Sequence, residues 1–133
     1  MKLGIVKADY NEKITDEMLK EARNKAEELD INIDEEKHVP GALDTPLAAD
    51  RLARREEIDA VVVIGAIIKG DTDHDQIIGS TVADKISQIS IDRDTPVLLS
   101  VTGPGMTAEE AKDRTHYAAQ GVESAKQLVE ELE

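Results

Sequence analysis

The sequence predicts an α/β domain built on a four-stranded parallel sheet with helices on both faces. Short aliphatic runs alternate with longer stretches whose apolar residues recur every three or four positions, in the order βαβαβαβα. One run, DAVVVIGAII at 59–68, is apolar without alternation, as a parallel strand buried on both faces must be. The third observation is length: 133 residues with only 8 Gly and 4 Pro and no linker fit one domain with one proper core.

Each element follows from its residues. Lys2 to Ala8 is an apolar run that ends in Asp9, Tyr10 and Asn11, a strand followed by a loop. Thr15 is placed to cap a helix in which Met18, Ala22, Ala26 and Leu29 share a face and Lys20, Glu21, Arg23, Lys25 and Glu27 face water. Ile31, Ile33 and Val39 mark a more exposed second strand, closed by Pro40-Gly41. The next helix opens with Thr45 as cap and Pro46 in the first helical position. After the central strand comes the polar loop KGDTDHD, then a helix traced by Ile77, Ile78, Val82, Ile86 and Ile89 that ends before Asp92. Thr95 to Val101 is the last strand, and TGPGMT a loop. Thr107, with Glu110 three residues on, caps one long final helix whose inner face carries Ala108, Ala111, Ala118, Val122, Ala125, Val129 and Leu132.

Composition removes several classes of function. There is no Cys, hence no disulfide, thiolate metal site, iron–sulfur cluster or cysteine nucleophile. Leu, Ile and Val together make 33 of the 133 residues, which argues against disorder although 34% of the chain is charged. Twenty-nine acidic against sixteen basic residues leave a net charge of −13, which repels phosphate backbones and anionic lipid and so argues against nucleic-acid or membrane partners. The acidity also fits a salt-rich cytosol, although ten Lys against six Arg weaken that argument. No apolar run reaches the ~18 residues of a spanning helix, and Met1 leads straight into a strand, so a cytoplasmic place is expected. GxGxxG, GxxxxGK[ST], GxSxG and HExxH are all missing, and with them the usual signals of nucleotide kinases, serine hydrolases and zinc peptidases.

In open parallel sheets ligands bind beyond the carboxyl ends of the strands, so the loops ADYN, PGALDT, KGDTDHD and TGPGMT are expected to converge. His74, flanked by Asp73 and Asp75, is suited to proton transfer near neutral pH, or is simply a solvated loop histidine. Gly70, Asp71 and Thr72 precede a helix, where backbone N–H groups and a hydroxyl can receive an anion. Arg114 is the candidate countercharge, with Lys69 as competitor; its plainer role is an i,i+4 partner of Glu110. Tyr10, beside Asn11, can cover a flat ligand, whereas Tyr117 reads as helix packing. Asp44 can accept hydrogen bonds from ligand hydroxyls or merely precede the Thr45 cap. No metal is expected, because no two His stand at ligand spacing and Asp71, Asp73 and Asp75 lack the later Gly and Glu of a calcium loop. His38 and His116 fall on a strand edge and a helix surface and are assigned no role.

Three ordered motifs, VPGALDTPLAA at 39–49, VVVIGAIIKGDTDHD at 61–75 and PVLLSVTGPGMTAEEAKDR at 96–114, resemble those of the 6,7-dimethyl-8-ribityllumazine synthases, and the GPGMT version resembles their archaeal branch. The resemblance runs from LGIVKADYN to the last helix. It implies a flavodoxin-like three-layer sandwich and a cofactor-free, metal-free condensation of 5-amino-6-ribitylaminouracil with 3,4-dihydroxy-2-butanone 4-phosphate in riboflavin biosynthesis. It further implies that Tyr10 stacks on the ring, that Ala42, Leu43 and Asp44 hold the ribityl chain, and that Ile67 and Ile68 contact the pyrimidine. Gly70, Asp71, Thr72 and Arg114 are then the phosphate site, His74 the general acid/base, and Leu99 and Ser100 the pocket wall from the last strand. Assembly as a homo-oligomer, pentamers free or closed into sixty-subunit shells, is implied too. The chain departs from the pattern in having Leu43-Asp44 where Phe-Glu is frequent, Leu99 where Phe is frequent, and Ala118, Ala119 and Gln120 where a helix lysine is common.

Two other readings compete. An archaeal-type riboflavin synthase shares the VPG motif and dismutates the lumazine, but it has no use for a phosphate loop. A noncatalytic flavin- or lumazine-binding module explains the fold and leaves a histidine beside a phosphate loop unexplained.

Overall fold

The computed structural model describes residues 1–133 throughout. In chain order the elements are β1 (Lys2–Ala8), α1 (Glu12–Glu28), β2 (Asn32–Val39), a 3₁₀ turn (Ala42–Asp44), α2 (Thr45–Ala53), β3 (Ala60–Ile68), α3 (His74–Arg93), β4 (Val97–Met106), α4 (Ala108–Lys112) and α5 (Tyr117–Leu132). The four strands are parallel in the order β2-β1-β3-β4. The apolar runs of β1 and β3 take the two central places, because only strands apolar on both faces tolerate cover on both sides. β2, NIDEEKHV, is charged along one edge, which blunts pairing with other strands.

Two apolar layers complete the three-layer sandwich. On one face Leu3 and Ile5 of β1 and Val62 and Ile64 of β3 pack against Met18 and Ala22 of α1 and Ala118, Val122 and Ala125 of α5. On the other, Val6, Val61 and Val63 pack against Leu52 of α2 and Val82 and Ile86 of α3. No helix is long and apolar enough to cross a membrane.

The element boundaries differ from the sequence reading in five places. α1 starts at Glu12, and Thr15 lies buried inside it, because Asn11 adopts a left-handed conformation (φ 63°) that Asn tolerates and so turns the chain a few residues earlier. Thr45 is not a cap but the first residue of α2; its hydroxyl donates to Ala42 O at 2.7 Å, and the 3₁₀ turn before it supplies the entry. α3 begins at His74 and ends at Arg93, and its Ile77 and Ile91 are exposed. TGPGMT is largely strand, since Ile68 pairs with Met106 and Lys69 N–H donates to Met106 O at 2.7 Å. The final helix is broken between Lys112 and Tyr117, where Arg114, Tyr117 and Ala118 make i→i−3 bonds, and Leu132 is exposed rather than inward.

Close approach of α5 to β4 rests on Gly121, where a Cβ would lie 1.9 Å from Ser100 Oγ. Gly121→Val is therefore expected to overpack this contact and lower stability by about 1–3 kcal/mol, read as a shift in urea midpoint. Between α2 and α3, Asp50 accepts hydrogen bonds from Arg93 Nε (2.8 Å) and Arg54 Nη2 (2.7 Å). The Arg93 bond holds the Asp50 carboxyl below its ordinary pKa against the opposing effect of burial. A depressed carboxylate contributes stability above its unfolded pKa of about 3.9 and loses it as pH falls through the folded value. Asp50→Asn should lower Tm at pH 7, with the gap to the parent closing as pH falls below about 4.

Candidate active site

A cleft of about 540 Å³ opens at the carboxyl ends of β1 and β3, between the 3₁₀ turn and the first turn of α3. Its floor is Ala8, Ala66, Ile67 and Ile68, where the two central strands run out. Beyond β1 the chain turns sharply: Asp9 N–H donates to Val39 O at 2.7 Å and Tyr10 N–H to Pro40 O at 2.9 Å. Asn11 Nδ2 then donates to Ala66 O at 2.8 Å and ties this turn to β3. Tyr10, so anchored by its backbone, leaves its side chain 74% exposed on the cleft wall, open to a flat partner.

Gly41, Ala42, Leu43 and Asp44 form the neighbouring wall. Asp44 Oδ2 accepts Gly41 N–H at 2.9 Å, which folds the turn. Opposite lie Gly70, Thr72, His74, Asp75 and Ile78. His74 is the first residue of a 20-residue helix, so it shares the end of α3 at which free N–H groups attract an anion. Its own N–H reaches Thr72 Oγ1 at a long 3.4 Å. Gly70 has nothing within 4 Å of where a Cβ would stand, so its backbone is open to a ligand. The lining contains Asp44 and Asp75 but no Lys or Arg.

The buried Lys7 stands just behind this site, with Asp9 at 3.0 Å and Asp16 in direct contact. Burial lowers its pKa, but the hydrogen bonds to Asp16 and Asp9 outweigh that and hold it above the ordinary lysine value. The same Lys7 bond lowers the Asp9 carboxyl. Lys7 thus neutralises the strand end instead of serving the cleft.

Of the residues expected at the site, Tyr10, Ala42, Leu43, Asp44, Ile67, Ile68, Gly70, Thr72 and His74 line one cleft. Asp71, Leu99, Ser100 and Arg114 do not. Ser100 is 3% exposed and lies beneath Gly121 of α5 on the sheet face away from α3. Leu99 is half exposed on β4, the free edge of the sheet. Arg114 sits in the break between α4 and α5. Its Nη1 donates to Glu110 O at 2.9 Å, whereas the Glu110 carboxylate is occupied by Thr107 N–H, so the expected side-chain pair is not made. The expected convergence also loses TGPGMT, which pairs with β3 and stays out of the cleft. Asn11, Gly41, Asp75 and Ile78 line the cleft without having been singled out as binding residues. Their signal was adjacency, since Asn11 follows Tyr10, Asp75 follows His74, and Ile78 lies one helical turn beyond it.

Comparison with known proteins matches residues 1–133 to the family model of 6,7-dimethyl-8-ribityllumazine synthase. Proteins of that name from Halobacterium salinarum and Halorubrum lacusprofundi are each 52% identical over 131 residues, 98% of this chain and 98% of their own length. One from Methanoculleus marisnigri is 47% identical over 133 residues, 100% of this chain and 98% of its own. With cleft, motifs and relatives in agreement along its whole length, the chain belongs to the 6,7-dimethyl-8-ribityllumazine synthase family.

Proposed function

We propose that this chain condenses 5-amino-6-ribitylaminouracil with 3,4-dihydroxy-2-butanone 4-phosphate to 6,7-dimethyl-8-ribityllumazine, releasing phosphate and water. The observation that carries the reading is His74 on the first turn of α3, facing an open Tyr10 across a cleft with an apolar floor. The pyrimidine stacks on Tyr10 over Ile67 and Ile68, and the ribityl hydroxyls reach the Ala42–Asp44 turn. Only one Asp44 oxygen is engaged by Gly41 N–H, so the other can accept from a hydroxyl. The phosphate lies at Gly70 and Thr72, against the N-terminus of α3.

Most of the rate then comes from holding amine and ketone in register. His74 moves the protons that the steps require: onto the hydroxyls that leave as water at imine formation and at ring closure, and off the carbon between the imine and the carbon that loses phosphate. Leu43 in place of the family's frequent Phe leaves Tyr10 as the aromatic surface of this cleft.

The cleft lacks a cation, yet it is to receive a phosphate dianion beside Asp44 and Asp75. Arg114 has donors to spare and lies outside it. We therefore extend the proposal to a homo-oligomer in which Arg114 and the exposed Leu99 of one copy complete the cleft of the next. Pentamers, free or closed into sixty-subunit shells, are the arrangement that the family resemblance suggests.

His74→Ala should lower kcat by roughly 10- to 10⁴-fold with little change in KM, followed by lumazine fluorescence; an unchanged kcat removes His74 from the mechanism. Arg114→Ala should instead raise KM for the butanone phosphate and weaken inhibition by inorganic phosphate, since a charge-assisted contact is lost. Phosphate inhibition equal to the parent's places the anion elsewhere.

A further inference from the structure

We propose that Asp75 is a positioning residue acting through His74, a role that rests on reading His74 as the proton shuttle. Asp75 is the second residue of α3 and 6% exposed, a rare place for a carboxylate. Its partner is not a cation: Oδ2 accepts Gly105 N–H at 2.9 Å. The N-terminal end of α3 makes this tolerable, because the helix dipole favours negative charge there.

Gly105 is itself firmly held. Gly103, at φ 97°, lies flat against β3, where a Cβ would be 2.0 Å from Ile67 O. Pro104 packs onto Gly79 of α3 so closely that a Cβ there would be 2.6 Å from its Cδ. Met106 O receives Lys69 N–H at 2.7 Å. The end of β4 is thus a post anchored on the cleft floor, and Asp75 ties the first turn of α3 to it. His74 is adjacent in the chain, exposed, and held on its loop side only by the long contact to Thr72. Without the Asp75 tie the histidine's turn is free to shift relative to Ile67, and displacements of about 1 Å are enough to cost about 100-fold in rate.

The test measures kcat and KM by lumazine fluorescence for Asp75→Ala, Asp75→Asn, His74→Ala and the double variant His74→Ala/Asp75→Ala. Asp75→Ala should lower kcat roughly 10-fold while KM for the pyrimidine stays within about twofold, because Tyr10 and Ala42 stand on other elements. Asp75→Asn, whose amide oxygen can still accept Gly105 N–H, should recover most of that loss. In the His74→Ala background, Asp75→Ala should change kcat by less than about twofold. Parental kcat in Asp75→Ala, no recovery in Asp75→Asn, or losses that multiply in the double variant overturn the proposal. If Asp75→Ala does not fold, Asp75→Glu replaces it in both backgrounds: its extra methylene must displace Gly105 or the helix turn. The same kcat loss, silent without His74, is then expected, and parental kcat overturns the tie. Parental kcat in His74→Ala, where Asp75 is intact, overturns the reading of His74 itself and with it this role.

Discussion

The burial of β3 on both faces is the constraint from which the rest follows. From Ala60 to Ile67 every residue of this strand is buried, so helices must cover it above and below and strands must flank it on both edges. Only its carboxyl end is left to meet solvent. There the backbone of Ile67 is so closely approached by β4 that residue 103 has to be glycine, and Gly103 adopts a φ of 97° that other residues rarely take. β1 runs out beside it, Asn11 ties the following turn to Ala66 O, and the cleft is what remains between these strand ends and α3.

Electrostatics gives that cleft its character. It has an apolar floor, an anion-attracting helix end and two carboxylates, in a chain of net charge −13. Helix ends and backbone N–H groups orient a phosphate well, but they offset little of a dianion's charge near aspartates. Lys7 does not relieve this, because Asp9 and Asp16 already take its charge. No Lys or Arg lines the cleft of one copy, and Arg114, whose Nη1 donates to Glu110 O, lies outside it. This imbalance is the physical reason to expect a site completed by a second copy.

Much of this was legible in the sequence, and the remainder was not for identifiable reasons. Alternation of apolar runs gave all four strands and both faces, since burial leaves a direct mark on composition. His74, Tyr10 and the Ala42–Asp44 turn could be placed at one end of the sheet because parallel topology brings strand ends together. Boundaries failed where a tertiary contact overrode a local signal. Thr15 and Thr45 look like caps, but Asn11 and the 3₁₀ turn open those helices. TGPGMT looks like a loop, yet Gly103 and Gly105 let it continue beside β3. Ser100 and Leu99 alternate on one strand, and the sequence does not say that one is sealed beneath Gly121 while the other meets the open edge. The role of Asp75 depends on a contact thirty residues away, which no local pattern encodes.

The proposal that cleft and cation come from different copies is tested most directly by mixing. His74→Ala and Arg114→Ala chains, each of low activity alone when the butanone phosphate is held well below the KM of the Arg114 variant, are unfolded together, refolded, and verified by mass as mixed oligomers. A shared site predicts recovered lumazine formation, because some interfaces combine an intact His74 cleft with an intact Arg114. Verified mixed oligomers with no more activity than the two variants alone would mean that each site is built within one chain, and a fully active monomeric parent would contradict the account outright.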